Sequence, residues 1–143
     1  MQWSLVERHI QGDPSDLFEV YFYDLDPRSW GRLFTWISGK VSLLDCQFGR
    51  LGVDELDLDQ FLKGSMFYIA HIKTSDEFEL SLSIIEEKEL TIDIEKCEID
   101  TEENFTRFLR HIIDIAKVIE CNNYIMCPEF KTDSAFIVNG VLV

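Results

Sequence analysis

Positive charge is scarce in this chain. Lys and Arg number 13 against 27 Asp and Glu, a formal net charge of −14 over 143 residues. Such an imbalance repels nucleic acid and anionic lipid and favours basic partners. No basic patch interleaved with aromatics is present, which argues against nucleic-acid binding. No apolar run is long enough for a bilayer-spanning helix. The first residues, Met1 to Arg8, lack a charged region followed by an apolar one, so no secretory signal is read there and a cytoplasmic location is expected. The four cysteines, Cys46, Cys97, Cys121 and Cys127, show no CxxC spacing, so reduced thiols are expected and zinc is not.

Catalytic signatures are missing too. There is no GxSxG elbow, GxGxxG, GxxxxGK[ST] or HExxH. His9, His71 and His111 fall on different predicted elements. Asp54–Asp59 alternates acids with apolar residues, but Gln60-Phe61-Leu62 stands where a calcium loop needs its central glycine, so no metal site is expected. No cofactor is implied.

What the chain does have is two adjacent runs of period two. Phe78, Leu80, Leu82 and Ile84 alternate with Glu77, Glu79, Ser81 and Ser83. After Glu86-Glu87-Lys88, Leu90, Ile92 and Ile94 alternate with Glu89, Thr91, Asp93 and Glu95. This pattern predicts a hairpin with one apolar and one acidic face. The acidity is local: residues 76–103 carry 12 acids and 2 bases, a net of −10. Glu77, Glu79, Glu89, Asp93 and Glu95 are the candidate partner-binding residues. A well-solvated surface would explain the same charge.

The other elements follow in order. Residues 2–10 alternate weakly, which predicts an edge strand. Gly12-Asp13-Pro14-Ser15 reads as a turn. Phe18, Val20 and Phe22 mark a strand. Asp26 and Pro27 suit the start of a helix whose core face is Trp30, Leu33, Phe34 and Ile37, with Gly39 as its stop. Trp36 lies off that seam, either widening the buried stripe or open to a partner. Residues 40–64 are hard to read beyond a short strand near Val41–Leu44 and turns at Gly49 and Gly52. Met66–Ile72, apolar on both faces, predicts a central strand covered on both sides with His71 buried in it. Asp100-Thr101-Glu102-Glu103 reads as a capping box. It precedes a helix with Phe105, Phe108, Leu109, Ile112, Ala116 and Ile119 inward and Arg107, Arg110, Asp114 and Lys117 outward. Asn122 or Asn123 is its expected left-handed cap. Tyr124–Cys127 and Ala135–Val143 predict closing strands, with a bend at Asn139-Gly140 and Pro128 in the connection. No repeat or linker is visible. The fold class is α+β: residues 1–143 form a single domain, an antiparallel sheet of about five to seven strands with two main helices packed on it.

The layout resembles the small immunity proteins of bacterial contact-dependent and polymorphic toxin systems. The resemblance lies in a strand at Phe18–Tyr23 that runs into the helix opened by Asp26-Pro27-Arg28-Ser29-Trp30. Antiparallel strands follow, then the helix Phe105–Ile119 leading into Tyr124-Ile125-Met126-Cys127-Pro128-Glu129. It implies a non-catalytic intracellular protein that neutralises a cognate toxin domain by direct binding. Many such toxins are nucleases with basic clefts, which an acidic sheet face would suit. Two rivals stay open: a small enzyme with a site built from scattered residues such as His71 and Cys127, and an acidic adaptor or regulatory subunit.

Overall fold

The computed structural model describes residues 2–12 and 16–143. The turn expected at Gly12–Ser15 falls largely on residues outside that range. Nine strands form one antiparallel sheet: β1 (Leu17–Phe22), β2 (Val41–Cys46), β3 (Gly49–Leu51), β4 (Tyr68–Lys73), β5 (Glu79–Glu86), β6 (Glu89–Glu95), β7 (Tyr124–Pro128), β8 (Ile137–Val138) and β9 (Val141–Leu142). Their spatial order is β3-β2-β4-β5-β6-β1-β7-β8-β9. The expected α+β class holds, but the sheet is larger than five to seven strands. β3 is too short to show a period in the sequence, and the closing strand expected at Ala135–Val143 is split at its Asn139-Gly140 bend into β8 and β9. Between β8 and β9, Asn139 (φ 52°) and Gly140 (φ 83°) both take the left-handed backbone that a tight hairpin turn requires.

Among the described residues there are four α-helices: α1 (Trp3–Ile10), α2 (Pro27–Ile37), α3 (Leu58–Leu62) and α4 (Glu102–Ile119). The expected edge strand at residues 2–10 is instead α1. Val6 and Ile10 are its buried residues, a helical spacing, and Trp3 packs at 5.9 Å from the ring of Phe105 on α4. In α2, Asp26 Oδ1 accepts the Ser29 N–H at 2.9 Å, as its sequence position predicts. In α4 the cap is Thr101 rather than Asp100: Thr101 Oγ1 accepts the Asn104 N–H at 3.2 Å, and Glu103 turns outward to Arg107. Glu120 (φ 52°), not an asparagine, takes the left-handed position at the end of α4. Pro128 is the last paired residue of β7, opposite Phe18, rather than part of the connection. The acids of the unreadable stretch work as caps. Asp57 Oδ1 accepts the Gln60 N–H of α3, and Glu55 Oε2 accepts the Gly52 N–H at 2.6 Å.

One continuous core joins the helices to a single sheet face. Phe18, Val20 and Phe22 of β1, Leu80, Leu82 and Ile84 of β5, and Leu90, Ile92 and Ile94 of β6 enter it, as do Phe105, Phe108 and Ile112 of α4. Trp30 is fully buried and donates its Nε1–H to the Glu87 carbonyl at 2.5 Å, which ties α2 to the β5–β6 turn. β4 was expected to be covered on both sides. It is not: Tyr68, Ala70 and Ile72 are buried, whereas Ile69 and His71 are only half-buried on the other face.

Candidate functional site: the open face of the sheet

Strand pairing fixes which side chains share the uncovered face. Residues directly opposite in neighbouring strands lie on the same side. Leu43 pairs with His71, His71 with Ser81, Ser81 with Asp93, Asp93 with Glu19, and Glu19 with Cys127. These residues make one row across six strands. Asp93 stands in its middle, between two shallow recesses. The first, about 300 Å³, is bordered by His71, Lys73, Glu79, Glu95 and Glu98. The second, about 330 Å³, is bordered by Glu19, Tyr21, Glu86, Glu89, Glu129 and Phe130. Asp93 lines both.

The five residues expected from sequence are not equivalent here. Glu79 and Glu95 are exposed beside the first recess. Glu89 is half-buried in the second, where burial, Glu86 and Glu19 push its carboxyl above the usual range. Asp93 is half-buried, and burial followed by Glu19 and Glu129 push it up to about 7. Among the described residues, its Oδ1 has no hydrogen-bond partner. Glu77 precedes β5, which begins at Glu79, and its φ of 70° takes it out of the alternation.

The structure adds carboxylates that the hairpin alone did not reveal. Glu19 is only 5% exposed, and its Oε1 accepts the Phe130 N–H at 2.7 Å. Its signal was present in the Phe18–Glu19–Val20 alternation, which puts Glu19 opposite the core. Glu98 accepts the Glu79 backbone N–H at 3.0 Å, and burial with Glu79 and Glu95 raises its carboxyl. The face is not purely acidic. His71 and Lys73 lie on it from β4, and Leu43, Phe67 and Ile85 are exposed apolar residues along its β2–β4–β5 side.

His71 was expected to be buried. It is half-buried on the open face, with Nδ1 3.1 Å from Ser81 Oγ and Nε2 3.5 Å from Asp45 Oδ2. Asp45 in turn binds Arg50 at 2.6 Å, and that contact first, then His71, holds its carboxyl below the usual range. Cys127 is fully buried, and burial, then Glu19 and Asp133, push its thiol up to about 11. Four strand spacings, about 19 Å, separate it from His71. The fold therefore does not bring His71 and Cys127 together. Among the described residues, no group of three or more His, Cys, Asp or Glu is arranged to hold a metal ion. No helix of the described residues is long and apolar enough to cross a membrane.

No protein-family model matches the chain, and no curated protein matches it. Its fold is similar to that of a chain in the crystal structure of the toxic C-terminal tip of CdiA from Pseudomonas aeruginosa in complex with immune protein. The TM-score is 0.61 at 16% identity, over 90% of this chain and 97% of that one. At that identity the likeness is one of fold.

Proposed function

We propose that this chain is an immunity protein that neutralises a cognate toxin domain by binding it through the open face of the sheet. One observation carries the reading: a broad sheet face on which Glu79, Glu89, Asp93, Glu95 and Glu98 gather around two recesses, with the buried Glu19 lining the second. A surface kept only for solubility has no need to hold like charges in recesses, where desolvation makes each one costlier. A basic protein partner would supply the missing counter-charge. The exposed Ile85, Phe67 and Leu43 beside the acids would give such a partner apolar anchors of the kind that hold an interface together. The structural neighbour supports the reading by fold alone. A nuclease toxin with a basic cleft fits this face best, and the interaction takes place in the cytoplasm.

Co-expression with the toxin domain encoded immediately beside the gene tests this. The expected outcome is a stable complex and restored growth. Free toxin, free chain and no growth protection would refute the proposal.

A second reading rests on the Ser81–His71–Asp45 chain of contacts, which has the residue types of a hydrolytic triad. The backbone amides beside it belong to strands paired on both sides, which leaves little to build an oxyanion site. Under this reading, Ser81→Ala would abolish a measurable esterase activity. Under the immunity reading, the wild type and the variant are equally inactive.

A further inference from the structure

A concavity larger than either recess, about 690 Å³, lies between the end of α2, the outer flank of α4 and the β4–β5 turn. Its volume is in the range of small-molecule sites. Its floor is apolar, with Trp36, Leu80 and Val118 among the lining residues. Its border carries Lys40, Lys73 and Lys117, with His111 beside them, in a chain whose net charge is −14. Among the described residues, none of the three lysines forms an ion pair. Lys40 instead lies over the Trp36 ring, Nζ 4.8 Å from its centroid, and Nζ donates to the Trp36 carbonyl at 3.4 Å. His111 is held by Asp76 at 2.8 Å. Asp114 is the opposing charge among the groove's lining residues. Lys73 also borders the first recess of the open face.

We propose that this groove binds a small organic anion, a molecule with one acidic group and an apolar body of about two rings. Charge complementarity supplies the argument. In so acidic a protein, lysines left without carboxylate partners around an apolar floor form a local positive field that low-dielectric walls concentrate. The ring body would lie against Trp36 and Val118. The acidic group would meet the ammonium groups of Lys40 and Lys117. The proposal does not rest on a toxin partner: Trp36, Lys40, Lys117 and Val118 line the groove alone, while Ile72, Lys73 and Leu80 line both it and the first recess.

The probe is 1-anilinonaphthalene-8-sulfonate, with N-phenyl-1-naphthylamine as its uncharged counterpart. For the folded wild type we expect saturable binding of the sulfonate at a single site. Lys40→Gln with Lys117→Gln should weaken it at least fivefold, and Asp114→Asn should tighten it. Binding of the uncharged compound should not change. Absence of saturable sulfonate binding, or affinity indifferent to both kinds of variant, overturns the proposal. A wild-type titration followed by amide NMR serves even where a variant fails to fold. Shifts at the Trp36 indole N–H and the Thr74 and Ser75 amides support the proposal, and shifts confined elsewhere overturn it.

Discussion

Glu19 on β1 and Asp93 on β6 stand directly opposite each other on the uncovered face of the sheet, and Glu19 also receives the Phe130 N–H at 2.7 Å. Two acids facing each other in a partly desolvated row cannot both ionise freely. The Asp93 carboxyl, pushed up to about 7, carries much of that conflict. Replacing Glu19 by Gln should lower the Asp93 titration midpoint toward the ordinary aspartate range without fully restoring it, because burial is the larger cause. Carboxyl carbon chemical shifts against pH would read this directly. A midpoint unmoved by Glu19→Gln would break the link between the two residues.

The same pair makes stability depend on pH. Unfolded aspartate titrates near 3.9. A carboxyl whose folded value is higher binds its proton more tightly in the native state, so its contribution is most favourable below about pH 4 and is lost as pH rises toward 7. Asp93→Asn should therefore stabilise the protein at pH 8 by about 1–2 kcal/mol, discounted because the group is partly solvated, and should do little at pH 4. Denaturant midpoints at the two pH values are the measurement. A destabilised Asn variant at pH 8 would contradict the reading.

Phe108 is fully buried in the core, under the sheet face opposite the acids. Phe108→Ala should cost roughly 3–5 kcal/mol, as for other large-to-small core changes. A loss below about 1 kcal/mol would be out of scale for a side chain so enclosed.

The start of α4 offers a sharper local test. Thr101 Oγ1 accepts the Asn104 N–H. Thr101→Ala should cost about 1 kcal/mol, whereas Asp100→Ala should cost much less. Equal losses would return the cap to the position expected from the sequence.

How far the sequence could be read depended on how much of each element's period was sampled. β5 and β6 alternate over seven or eight residues, and α4 runs over 18, so their buried faces were legible in advance. α1 buries only Val6 and Ile10 within eight residues, too few to separate a helical from an alternating pattern. The β4 run shows no alternation in the sequence because Ile69 is apolar yet lies on the open face. That face carries a mixture of acids, His71 and aliphatic residues rather than one uniform character. The candidate site was legible only in part. The hairpin supplied Glu79, Glu89, Asp93 and Glu95. Glu19 and Glu129, distant in sequence, joined them only through the pairing of β6 with β1 and of β1 with β7. No local pattern encodes those pairings.

Partner binding through the open acidic face is the central proposal. The most direct measurement is calorimetric binding of the cognate toxin domain to the wild type and to Glu79→Lys with Glu95→Lys, at low and at physiological salt. Both residues are exposed and outside the core, so folding should be unchanged. The reversed variant should lose at least tenfold in affinity, about 1.4 kcal/mol. The wild-type affinity should weaken with salt, as charges screened over about 8–10 Å would require. Unchanged affinity in the reversed variant would place the interface elsewhere and contradict the account.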